Sequence, residues 1–157
     1  MRSSIDVHNH LLDEDVPHEI SQLPGPLRDL TTAPGVLGLP AEAVGRPTVL
    51  TDRKGCVVVL APAHQEVDVR SVAELLDRKQ LAPLAADRAP GLTGYLLGVT
   101  PPVGLACSAV VVLDECIAAQ DVVYTGAGET GLILKVRGRD LVKATSAVVA
   151  RVTRASR

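Results

Sequence analysis

Two short runs in this chain of 157 residues place side chains at spacings that do chemistry. Asp6-Val7-His8-Asn9-His10 has the Asp-x-His-x-His spacing with which metal-dependent hydrolases share one ion between two histidines of a strand. Such sites draw further His and Asp ligands from later strands of a large barrel, which takes about 250 residues. Only His18 and His64 remain here, so His8 and His10 are expected on a solvated helix. Gly126-Ala127-Gly128-Glu129-Thr130-Gly131 is a Gly-x-Gly-x-x-Gly run after a β-rich stretch. A dinucleotide cradle needs a helix opening at the last glycine. Leu132-Ile133-Leu134-Lys135-Val136 reads as a strand instead, which predicts a β-turn whose glycines let backbone N–H groups approach a ligand closely.

The acidic pair Asp114-Glu115 has two readings. One carboxylate could act as a general base near an ester, or it could cap a short helix over Cys116-Ile117-Ala118-Ala119. Cys56, Cys107 and Cys116 are odd in number and lack Cys-x-x-Cys spacing, which argues against a disulfide framework and a zinc ribbon. They are expected to be reduced and mostly buried thiols. No Ser/His/Asp spacing and no Cys/His nucleophile pair is legible.

The elements that must position these groups follow from composition and periodicity. Apolar residues make up 46% and charged residues 22%, enough apolar side chain for one folded domain over residues 1–157 and no case for disorder. There is no Phe or Trp and only Tyr95 and Tyr124, so the core must be Val, Leu, Ile and Ala, and an aromatic base-stacking platform is excluded. A formal charge of -2 leaves no long basic surface. DNA is not expected, and an RNA partner would be gripped locally. The start Met1-Arg2-Ser3-Ser4-Ile5-Asp6 has no apolar signal core, and no run of about 18 apolar residues occurs, so the expectation is a cytoplasmic protein without membrane contact.

Ser3 or Ser4 caps a predicted helix with Ile5, Val7, Leu11 and Leu12 as its apolar positions, ending before Pro17. His18 to Leu23 reads as a strand broken by Pro24-Gly25-Pro26, and the stretch from Pro26 to Gly45 as short helical turns. Thr48-Val49-Leu50-Thr51 and Cys56-Val57-Val58-Val59-Leu60 form a hairpin across Asp52-Arg53-Lys54-Gly55. Residues 69–79 carry Val69, Val72, Leu75 and Leu76 on one helical face. After a Gly/Pro-rich run from Pro90 to Gly104 come a buried strand at 109–113, strands at 121–125 and 132–136, and a last helix starting at Asp140. The expected class is α+β, with a mixed, mainly antiparallel sheet curved into a barrel-like core and flanked by helices.

Taken together, Thr93-Gly94-Tyr95-Leu96-Leu97-Gly98-Val99-Thr100-Pro101-Pro102-Val103-Gly104, then Val112-Leu113-Asp114-Glu115, then Tyr124-Thr125-Gly126-Ala127-Gly128 with Gly131-Leu132 resemble the YbaK/prolyl-tRNA editing domain family. The order of the elements fits over most of the chain. The resemblance implies a freestanding deacylase that hydrolyses the ester between a wrong, small amino acid, such as Ala or Cys, and proline tRNA. Its partners would be the acceptor end of aminoacyl-tRNA and prolyl-tRNA synthetase, and it would need no metal or redox cofactor. The logic is a second sieve, because a synthetase pocket built for proline excludes a smaller side chain by only about 1–3 kcal/mol.

The same resemblance assigns residues. The family's lysine at the entrance of the first hairpin strand, in an Ile/Val-Ala-Lys-Ser/Thr context, corresponds to Val44-Gly45-Arg46-Pro47-Thr48, with Arg46 in the catalytic place and Thr48 beside it. A shift of one residue would put Pro47 there. Arg keeps the charge and a fork of donors but does not deprotonate as Lys does. Gly98-x-x-x-Pro102 matches the family loop that shapes the amino-acid pocket. Thr93, Gly94 and Thr100 would accompany it, Gly126 and Gly128 would form the opposite lip, and Asp114 stands at the acidic position. Water, or groups of the substrate, would do the attacking. The alternative is a catalytically impaired module of the same fold that binds the tRNA end or a synthetase. Cations available to hold RNA are Arg46, Arg53 and Lys54 around the hairpin and Arg137, Arg139 and Lys143 near the last helix. Arg151, Arg154 and Arg157 are expected in a solvated tail.

Overall fold

The computed structural model describes residues 1–24, 35 and 37–154. Helix α1, Ser4–Asp13, starts at a reciprocal cap: Ser3 Oγ accepts from the Ile5 N–H, and the Asp6 carboxylate accepts from the Ser3 N–H at 2.7 Å. Its Val7 and Leu11 are buried while Ile5 and Leu12 face solvent. Strand β1, His18–Gln22, follows. The helical turns expected from Pro26 onward fall largely on residues 25–34 and 36, outside the described residues. A single 3-10 turn, Ala41–Ala43, leads into the hairpin.

That hairpin is longer than the sequence suggests, with β2 at Gly45–Asp52 and β3 at Gly55–Pro62. Its tip closes where the Asp52 carboxylate accepts the Lys54 and Gly55 N–H groups at 2.7 and 3.2 Å, and Gly55 supplies a φ of 136°. Arg78 pairs with Asp52 behind the turn. Next come β4 at Glu66–Val67, α2 at Val69–Leu76 and β5 at Ala82–Pro83. Helix α2 is capped by Asp68, which accepts from the Ser71 N–H. Helix α3 is Ala89–Thr93, β6 Ala109–Asp114, α4 Glu115–Ala118, β7 Val122–Gly126 and β8 Leu132–Arg137. Helix α5 at Gly138–Thr145 precedes β9 at Val148–Ala150 and β10 at Thr153–Arg154. The tail is less free than expected: Val152 is buried, and β10 pairs with β4.

The barrel-like core is not what forms. The described strands fall into three separate sheets, ordered β5-β2-β3-β6-β9, β1-β8-β7 and β10-β4. The five-stranded sheet stays open because its edges, β5 and β9, are two- and three-residue strands that do not meet, and Pro83 removes a donor from one of them. Antiparallel pairing predominates, yet β3, β6 and β9 run parallel. Val57, Val58, Val59 and Leu60 are fully buried, as expected of a strand covered on both faces. Val57 and Val59 pack with Leu50, Val72, Val112 and Val152. On the other face, Val58 packs with Val49, Leu84 and Ala89. A parallel bridge from Val44 to Tyr124 sets the start of β2 beside β7, joining the large sheet to the second one.

Candidate functional site

Arg46 sits at the start of β2, half-buried and paired in register with Ala61, and Thr48 follows on the same face opposite Val59. Among the described residues, the outer edge of β2 is occupied only at its two ends. Tyr124 bridges to Val44, and β5 pairs with Leu50 and Thr51. No described strand pairs with residues 46–48 on that side, which is why Pro47 is tolerated there. The 3-10 turn Leu97–Val99 packs against β2. A Cβ at Gly98 would meet nothing within 4 Å, so the loop leaves open space at that residue.

The loop itself is braced from within. The Thr93 hydroxyl donates to the Ala89 carbonyl at 2.8 Å and accepts from the Tyr95 N–H at 3.1 Å. The Thr100 hydroxyl is directed at the Leu96 and Leu97 carbonyls, each at 3.1 Å. Both threonines thus shape the loop. Gly94 takes a φ of 91° at the end of α3, under the Arg2 side chain. Sequence reasoning missed the central brace, Tyr95, which is fully buried and donates its hydroxyl to the Gly104 carbonyl at 2.7 Å. Burial pushes its phenol up to about 12. Its signal was its rarity, one of two aromatics in the chain.

Gly126 and Gly128, expected as the opposite lip, are packed onto the loop. A Cβ at Gly126 would lie 2.9 Å from the Thr100 carbonyl oxygen and 3.0 Å from that of Val99. The Gly128 N–H donates to the Val99 carbonyl at 3.0 Å, and at a φ of 93° a Cβ there would meet the Tyr95 ring. The glycine run is the expected β-turn between β7 and β8. Glu129 ties it to α1 by accepting the Ser4 N–H at 2.8 Å, and the Ser4 hydrogen bonds hold its carboxyl below the usual range. Thr125, also missed, is fully buried, and its hydroxyl has no partner among the described residues. A threonine ending an otherwise apolar run was its signal.

Of the two readings of Asp114, the structure shows the cap. One carboxylate oxygen accepts from the Cys116 N–H at 3.1 Å and the other from the Val152 N–H at 2.9 Å. The histidines of α1 diverge. His8 Nδ1 lies 2.7 Å from His18 Nε2, while His10 lines a different cleft with Pro102 and Cys107. Among the described residues no group of three or more His, Cys, Asp or Glu side chains is placed to hold a metal ion.

The cations regroup as well. Arg53 and Lys54 lie at the hairpin tip, about 20 Å along β2 from Arg46 at about 3.3 Å per residue. Lys135 faces Tyr124 across β7 and β8, and Tyr124 bridges to Val44, two residues before Arg46. Lys135 and Arg137 share one face of β8, and the Val44–Tyr124 bridge brings the start of β2 up to the neighbouring strand. Glu19, opposite Lys135 on β1, is the carboxylate on that face. A cleft of about 450 Å³ is lined by Arg137, Arg139 and residues 118–122.

No described helix is long and apolar enough to cross a membrane. Two solved structures resemble the chain over nearly its whole length. One is hypothetical protein APE2540, 28% identical with a TM-score of 0.86, covering 95% of this chain and 99% of that one. The other, a proposed trans-editing enzyme for prolyl tRNA synthetase, is 21% identical with a TM-score of 0.87, covering 99% of both chains. The family model for the aminoacyl-tRNA editing domain matches residues 25–144, a span that includes β2, the braced loop and the glycine turn. The chain belongs to the aminoacyl-tRNA editing domain family.

Proposed function

We propose that this protein deacylates mischarged tRNA in trans, removing a small amino acid such as Ala or Cys from proline tRNA. The observation that carries the reading is the packing of the Leu97–Val99 turn against β2, the strand that bears Arg46 and Thr48, together with the glycine turn that packs on the same loop. The trans-editing role ascribed to the 21% identical structure supports the choice of the prolyl system.

In this reading water attacks the ester carbonyl, the carbonyl oxygen gains negative charge, and the bond to the ribose oxygen then breaks. Arg46 stabilises that charge or holds the terminal phosphate, with the fork of its guanidinium making two hydrogen bonds. It does not exchange a proton near neutral pH, so the proton passes through water or the ribose hydroxyls. Asp114 has no part in the step, since both its oxygens serve backbone N–H groups. The open space at Gly98 takes the small side chain, and Lys135 and Arg137, on one face of β8, meet phosphates of the acceptor end.

Single-turnover release from Ala-, Cys-, Ser- and Pro-tRNA for proline tests the reading, with Arg46→Ala alongside. Release of one small amino acid, lost in the variant, is the expected result. Absence of release from every substrate, with tRNA binding retained, would make the protein a binding module of the same fold.

A further inference from the structure

Cys56 and Cys107 come from distant parts of the chain and meet in one apolar cluster with Val49, Val58, Leu84 and Ala89. Cys56 opens β3 beside Ala109 in the parallel pairing with β6. Two residues before Ala109, the chain bends at Ala106 and Cys107, and Cys107 packs against the cluster that holds Cys56. Their exposure differs. Cys56 is buried, whereas Cys107 is half-buried and lines a cleft of about 230 Å³ together with Arg2, His10, Pro102 and Gly104. A small oxidant entering that cleft therefore reaches one sulfur while the second waits behind it.

We propose that Cys107 and Cys56 form a reversible dithiol, a modification site at which a peroxide generates an intramolecular disulfide. Cys107 attacks as thiolate: an S–O bond forms, the O–O bond breaks, and the peroxide's second oxygen leaves as hydroxide and becomes water. The Cys56 sulfur then attacks the resulting sulfenic acid. An S–S bond forms, the S–O bond breaks, and the departing hydroxide takes the Cys56 proton to give a second water. The two thiols lose two electrons and two protons, and one peroxide becomes two waters. The bond joins the start of β3 to the segment just after Pro102, so it would fix the C-terminal end of the candidate pocket loop. Burial, followed by the neighbouring Cys107 thiol, pushes the Cys56 thiol up to about 11. Resolution of the sulfenic acid should therefore quicken as pH rises, because the thiolate is the attacking species. Cys116, on α4 at the opposite end of β6, has no such neighbour and is the internal control.

The test treats the full-length protein with hydrogen peroxide and reads intact mass, free thiols and non-reduced peptide maps. The expected product is a monomer that has lost two hydrogens, keeps one of its three thiols, carries a Cys56–Cys107 cross-linked peptide and is restored by dithiothreitol. Cys56→Ser should instead accumulate a sulfenic acid on Cys107 that a dimedone probe captures, and Cys107→Ser should form no cross-link. Sulfinic acid on Cys107 with Cys56 still a thiol, a cross-link through Cys116, or a disulfide-linked dimer would overturn the proposal. The readout uses no tRNA, so its result is independent of the editing reading.

Discussion

The Gly128 N–H donates to the Val99 carbonyl at 3.0 Å, fastening the turn between β7 and β8 to the loop that packs against β2. Two glycines on either side of that contact separate folding from function. At Gly126 a methyl group would lie 2.9 Å from a backbone oxygen that cannot swing away, so Gly126→Ala should destabilise by about 1–3 kcal/mol. At Gly98 the space is open, and Gly98→Ala should keep the wild-type Tm while slowing deacylation, because the methyl group fills the site of the substrate side chain. Thermal melts paired with single-turnover rates check both. A stable, fully active Gly98→Ala would remove that residue from the pocket.

Arg46 can be tested against the lysine that the family pattern puts in its place. If it acts through charge and hydrogen bonding, Arg46→Ala should lower the single-turnover rate by about 10²–10³, as loss of one oxyanion donor does. Arg46→Lys should retain most of the rate, and the pH profile should not acquire a new limb at neutral pH. A wild-type rate in Arg46→Ala, with the fold verified by circular dichroism, would exclude the residue from catalysis.

Much of this arrangement was legible in the chain, for identifiable reasons. Helix α1, the hairpin of β2 and β3, and the amphipathic α2 each carry their own signal: a capping serine, a turn aspartate with glycine, a one-sided valine and leucine stripe. Strands β4, β5 and β10 have two residues each and exist only through their partners, so no local pattern announces them. The parallel pairing of Val57 with Val110 and Val59 with Val112 was equally hidden, because a continuous buried run reads the same in either direction. At the site, Gly98 and Arg46 were visible through the family pattern. That Gly126 and Gly128, expected as the opposite lip of the pocket, pack directly onto the loop from Gly98 to Pro102 was not visible, since sequence shows that backbone comes close but not to what.

Tyr95 should give the fold an alkaline limit. Its phenol titrates near 12 in the folded protein, raised chiefly by burial, against about 10 when unfolded. A raised pKa contributes stability that is complete below the unfolded value and is lost as pH climbs through the folded one. Denaturant midpoints of the wild type should therefore fall between about pH 10 and 12. Tyr95→Phe, which removes the hydrogen bond to Gly104, should cost about 0.5–1.5 kcal/mol at pH 7 and flatten that fall. Parallel alkaline curves for the two proteins would count against the assignment.

Asp52 sets the acid side. The Arg78 guanidinium holds its carboxyl well below the usual carboxylate range, and the pair is largely shielded at the hairpin tip. A depressed carboxyl contributes stability that is full above its unfolded pKa, near 4, and is lost as pH falls through the folded value. Wild-type stability should accordingly decline below about pH 4. Arg78→Met should lower Tm at pH 7 and leave a shallower decline in acid. An unchanged Tm would show that the ion pair adds nothing to the turn.

Lys135 and Arg137 offer the sharpest test of the proposed hold on the tRNA acceptor end. They alternate along β8, so their Cα atoms are about 6.6 Å apart at about 3.3 Å per residue, close to the spacing of successive phosphates. The Val44–Tyr124 bridge brings the start of β2, where Arg46 lies, up to the strand beside β8, whereas Arg53 and Lys54 are at the far end of the hairpin. Each neutralised phosphate contributes about 0.7–0.9 to the slope of log affinity against log salt. Removing both cations in Lys135→Ala/Arg137→Ala should reduce that slope by about 1.5, and Arg53→Ala/Lys54→Ala should leave it unchanged. Uncharged proline tRNA serves for the titration, so the outcome does not depend on turnover. If the β8 variant keeps the slope and the hairpin-tip variant loses it, the acceptor end lies along β2 toward its turn, and Arg46 would then be approached from the opposite side of the sheet edge.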